Sequence, residues 1–242
     1  LLIKFSLILM FFIIIGGIIN FFFSISNLLV AVIYLIGLII FIFKYKKKEN
    51  IIELKWIFFI FIFIAFYLYN SGSNNDFDYH SHHISLYKNH NLFNFNQNIE
   101  DIRVKYNSLF LLLNSITFHS DIFISIKFLS AFIFAIFIFD IKKLIECNKN
   151  PNILRFLSLF ALICFFLTLS KFKNIGTDYS AHLIYFSLIL FYVSNNMLNR
   201  KFFESKEFFF ICSSIISLLV VLKISMVLCS LIFLHYFFTI HK

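Results

Sequence analysis

Glycine and proline are nearly missing from this chain of 242 residues, at five and one respectively. So few glycines leave no GxxxxGK[ST] or GxGxxG stretch, which excludes the phosphate-cradling loops of nucleotide-binding folds. They also exclude helix packing built mainly on small residues, since apolar bulk comes from Phe, Ile and Leu. The four cysteines, Cys147, Cys164, Cys212 and Cys229, are far apart, form no C-x-x-C pair and fall in three cases inside apolar runs. They read as small core hydrophobes, which excludes a disulfide framework or a zinc cluster. Acidic residues are scarce, 12 against 21 Lys and Arg, for a formal net charge of +9. The basic residues stand at the ends of apolar runs instead of lining one face of a soluble domain, so nucleic acid is not an expected partner. No internal repeat is evident. A long polar domain is missing too, because the longest polar stretch, 70–107, is smaller than most independent folds.

What is present is apolar. Hydrophobic residues make up 61% of the chain, Phe alone supplying 39 positions, whereas soluble domains sit near roughly 45–50% apolar. Phe, Ile, Lys, Asn and Tyr share AT-rich codons, so base composition accounts for much of the skew and no aromatic cofactor box is read from it. A spanning helix needs about 20 mostly apolar residues. Runs meeting or approaching that length lie at 4–23, 26–43, 51–69, 121–140, 155–170, 179–194, 208–222 and 224–239. The expected fold class is therefore all-α: a polytopic transmembrane helix bundle of about eight spans. A shorter apolar segment at 108–118 is half the needed length and is expected to be a re-entrant or interfacial helix. The first run exceeds the roughly 7–15 residues of a signal-peptide core and no A-x-A-like site follows it, so it is expected to be retained. The chain, 1–242, is expected to form a single transmembrane domain, open to continuing beyond either end, with 70–107 as an outer polar loop.

Short cytoplasmic loops carry the excess of Lys and Arg. With the amino terminus inside, the inner set holds 13 basic residues, among them Lys4, Lys46, Lys143, Arg155, Arg200 and Lys206. The outer set holds six: Lys88, Arg103, Lys105, Lys171, Lys173 and Lys223. Asp76, Asp78, Glu100, Asp101, Asp121 and Asp178 then fall outside, as do six of the eight histidines. The inner acids Glu49, Asp140, Glu204 and Glu207 lie beside lysines and are expected to be solvated loop charges.

The densest outer cluster is Asp76-Phe77-Asp78-Tyr79-His80-Ser81-His82-His83. Two carboxylates one residue apart converge in an extended or turn conformation, so Asp76 and Asp78 suit a general base or oxygen ligands for a divalent cation. His80, His82 and His83 offer nitrogen ligands. The plainer alternative is a polar membrane-proximal loop bonded to water and headgroups. Arg103 and Lys105 suit a phosphate, the first as a fork and the second as a point charge, or lipid headgroups. Asp178 suits a helix amino terminus. Lys127 and Lys223 lie closest to being intramembrane, with snorkelling to the interface as the simple account.

Four short stretches carry a family likeness: Asp76-Phe77-Asp78-Tyr79-His80 after an early span, Arg103 to Ser108 leading into a short helix, Gly176-Thr177-Asp178 on the next outer loop, and Leu222-Lys223-Ile224-Ser225 between the last spans. On these the chain resembles the GT-C class of membrane glycosyltransferases and similar multi-spanning bacterial membrane proteins, over about residues 50–230. The resemblance implies an outer-loop acid acting as base or binding a metal, matching Asp76 or Asp78, and a polyprenyl-phosphate-linked sugar as donor. It further implies substrate binding by His80, Arg103, Lys105, Asp178 and Lys223, a bacterial inner-membrane location, membrane lipids as surroundings, and a divalent cation as the one cofactor to consider. Class members are usually longer and often carry a carboxy-terminal outer domain that is not seen here. Two other readings stand beside it: a transporter or flippase subunit, and a truncated, non-catalytic membrane protein.

Overall fold

In a computed structural model of the protein, the described residues are 1–22, 24, 55–56, 58–62, 84–87, 89, 112, 115, 124–146, 151–167 and 177–240. Among them the architecture is all-helical, with no strand. The longer helices are α1 (Leu2–Phe22), α2 (Ile124–Glu146), α3 (Asn152–Leu167), α4 (Thr177–Leu198), the single turn α5 (Arg200–Phe203), α6 (Lys206–Leu222) and α7 (Leu231–Ile240). A 3-10 helix, Ile224–Ser230, leads into α7. The all-α expectation holds for these residues.

Two described helices, Leu2–Phe22 and Ser180–Leu198, are long and apolar enough to cross a membrane; Asn152–Leu167 and Ser225–Ile240 are apolar but shorter. The expected run 26–43 and most of 51–69 lie outside the described residues, and of 108–118 only Leu112 and Ser115 are described, both helical. The last expected span, 224–239, is not a continuous α-helix. Lys223 adopts an extended conformation, φ −153° and ψ 117°, ending α6, and the chain re-enters as the 3-10 helix before α7. The Met226 N–H donates to the Lys223 carbonyl at 2.9 Å, an i to i+3 bond that winds this stretch more tightly than an α-helix. Hydropathy carries no information about that choice, because both windings present the same apolar residues.

The chain forms two compact units. The first comprises Leu1–Phe11, Ile136–Lys171 and Thr177–Lys242. Helix starts in it are set locally and at long range. Pro151, the single proline, stands just before α3, and its carbonyl accepts from Leu154 and Arg155 at 3.0 and 3.2 Å. Ser205 caps α6 by accepting from the Phe208 N–H at 3.1 Å, with Glu207 in the first turn favourable to the dipole. The α1 start is capped from far along the chain: Asp140 Oδ2 accepts from the main-chain nitrogens of Leu1 and Leu2 at 2.8 and 2.7 Å. Asp140 was expected to be a solvated loop charge. It instead satisfies two orphan donors of another helix, because a helix N-terminus holds unpaired N–H groups and positive potential.

We expect Asp140→Ala to cost about 1–2 kcal/mol of stability through these two donors. Glu146→Ala, which breaks the exposed 3.8 Å pair with Lys142, is expected to change it by less than about 0.5 kcal/mol. Thermal unfolding in detergent checks the pair of variants, and equal midpoints for both would remove the capping role.

Packing in this unit buries serines, among them Ser6, Ser158, Ser180 and Ser187, beside bulky apolar side chains such as Phe137, Phe203 and Phe208, and leaves other bulky apolar side chains exposed. On α3, Leu154, Ser158, Ala161 and Phe165 form the buried stripe, whereas Phe156, Phe160 and Phe166 on its other face are exposed. Ser158 is fully buried and its hydroxyl donates back to the Leu154 carbonyl at 2.8 Å, which removes the cost of burying it. Phe165 joins α2 and α4 edge-on through Phe137 and Phe186, at centroid distances of 5.0 and 5.4 Å.

The second unit comprises Phe12–Ala135 and Phe172–Gly176. Near the C-terminal end of α1, the buried Asn20 donates from Nδ2 to the Tyr87 carbonyl at 3.1 Å. Residues 84–87, expected to belong to an open polar loop, are helical, with Ile84 and Tyr87 fully buried. The loop therefore contains an anchored turn, which its two apolar residues three apart explain. Ser115 donates to Leu112 O at 2.6 Å, and Phe61 meets Phe132 edge-on at 5.9 Å.

Candidate functional site

One end of the first unit collects the helix termini that carry charge. The α1 start is tied to Asp140 near the end of α2, and Phe191, late in α4, stacks on Phe208, early in α6, at 5.4 Å. The connection between α4 and α6 is a tight turn: Asn199 Oδ1 accepts from Phe202 N at 3.4 Å, and Glu204 N donates to Arg200 O at 3.0 Å. Arg200 holds this turn to the end of α7. Its Nη1 donates to Asn196 Oδ1 at 2.6 Å, its Nε to Glu204, and its Nη2 to the Thr239 carbonyl at 3.0 Å. Beneath it lies an aromatic cluster of Phe191, Tyr192, Phe202, Phe203, Phe208 and Tyr236. Its two phenols are paired: Tyr192 Oη lies 2.7 Å from His235 Nδ1, and Tyr236 donates to Phe203 O at 3.0 Å.

Beside this cluster α1, α2, α4, α5 and α6 line an open cavity of about 570 Å³. Leu7, Phe137, Ile141, Leu190 and Ile211 form apolar walls, Ser187 and Ser194 add hydroxyls, and Lys4, Asp140, Lys143 and Glu207 stand at the charged part of the lining. Ser194 donates to Phe191 O at 3.0 Å, and Lys143 Nζ lies 4.8 Å over the Phe139 ring. An amphipathic ligand suits such a lining, because apolar walls desolvate a tail while paired charges meet a headgroup.

The residues singled out in the sequence fall elsewhere. Asp76, Asp78, His80, Arg103 and Lys105 lie outside the described residues. Asp178 is the second residue of α4, and Lys223 is the residue at which α6 ends. With Phe191 and Phe208 at one level and α4 running antiparallel to α6, Thr177 lies about 21 Å along α4 from that level, and Lys223 about 22 Å along α6. Both are thus carried toward the end of the α4 and α6 pair away from Arg200. Among the described residues no group of three His, Cys, Asp or Glu side chains is placed to hold a metal ion. The acids expected to take a divalent cation, Asp76 and Asp78, are not among those described.

Sequence reasoning missed the cavity and the Arg200 cluster. One signal was available for the first: Asp140 interrupts an otherwise apolar run, and an acid in such a run needs a partner. For the second, Asn196, Arg200 and Glu204 recur every four residues, the spacing at which helix neighbours pair. Compared with protein-family models, with curated proteins and with solved structures, the chain matches none.

Proposed function

We propose that the chain is an integral membrane helix bundle that transfers a sugar from a polyprenyl-phosphate-linked donor at the outer interface of a bacterial inner membrane, its amino terminus being cytoplasmic. The observation that carries the membrane part is the exposure of many large apolar side chains on helices that bury serines. Ser6, Ser158, Ser180 and Ser187 are buried, while Phe11, Phe22, Phe156, Phe166 and Phe210 are each about half or more exposed. Water penalises that distribution and hydrocarbon does not. Helix 2–22 and helix 180–198 supply the needed length.

The transferase part rests on the distribution of charge. Lys4, Lys143, Arg200 and Glu207 belong to one end of the first unit, and Asp178 and Lys223 are carried toward the other end of the α4 and α6 pair. A lipid-linked donor reaches its site through the bilayer, with its reacting carbon at the interface. An acid among Asp76 and Asp78 would take the proton of the acceptor hydroxyl, while Arg103, Lys105 and Lys223 would neutralise the departing lipid phosphate. The experiment is turnover of a labelled polyprenyl-phosphate sugar by proteoliposomes containing the chain. Product formed above protein-free vesicles supports the reading, and none across sugars and acceptors removes it.

A transporter or flippase is favoured by one specific observation, the break at Lys223 and the seven-residue 3-10 helix that follows it, since discontinuous helices and intramembrane cations mark transport sites. In the same vesicles, substrate movement without chemical product would select this second reading.

A further inference from the structure

We draw no further inference here: the strongest candidate, the open cavity lined by α1, α2, α4, α5 and α6, has apolar walls with the exposed Lys4 and Glu207 at its charged part, and nothing in the structure shows what covers it.

Discussion

Asp78→Asn is expected to lower sugar transfer from a polyprenyl-phosphate donor by about 10²–10⁴-fold, the loss that follows removal of a general base. The amide keeps the size and one oxygen of the side chain and loses its basicity, so binding of the donor changes little while the chemical step slows. Asp76→Asn distinguishes the two carboxylates. If Asp76 holds a cation for Asp78, its loss is restored in part by raising the divalent cation concentration, whereas loss of the base is not. Lys223→Ala is expected to act on donor affinity instead, because a cation facing the lipid phosphate contributes before as well as during reaction. Initial rates in proteoliposomes over a range of donor concentrations separate these effects. Full turnover in both aspartate variants would end the transferase reading, and flux without product would replace it.

The largest stability loss is expected at Phe208. It is fully buried and touches rings from three other elements: Phe191 and Tyr192 on α4, Phe202 and Phe203 on α5, and Tyr236 on α7. Phe208→Ala leaves a cavity that these rings fill only by moving, at a cost of about 3–5 kcal/mol. The lower end applies if the unfolded helices stay in lipid, because the transfer contribution is then small and lost packing dominates. Phe210, two residues on and 70% exposed, is the control. Phe210→Ala is expected to change stability by less than about 0.5 kcal/mol. Unfolding in mixed micelles with increasing dodecyl sulfate gives both values, and comparable losses at the two positions would mean the aromatic cluster does not hold these helices together.

The candidate cavity and the sequence-derived candidates illustrate different limits. Asp76 and Asp78 stood out because acids and histidines crowd one polar stretch, a local property that one-dimensional reading detects. Tyr87, within that stretch, did not stand out, although it is buried against Asn20, because a single helical turn has too few residues to show a period. Asp140 was assigned to a solvated loop on the strength of neighbouring lysines. Its neighbour in space is the start of α1, and no sequence spacing reports a contact between residues 138 positions apart.

By itself the sequence determined helical character and the positions of several helices. With one proline and five glycines, a long apolar run has no turn residue to stop it, and helices 152–167, 177–198 and 206–222 lie close to the apolar runs read at 155–170, 179–194 and 208–222. Charge collected at run ends for the same reason. Only the tertiary structure decided which ends meet, where a hydroxyl or carboxylate finds its partner, and that the last apolar run breaks into a 3-10 helix and α7. Those outcomes turn on packing between segments far apart in the chain, where hydropathy, having one value per residue and no record of its neighbours in space, cannot distinguish one arrangement from another.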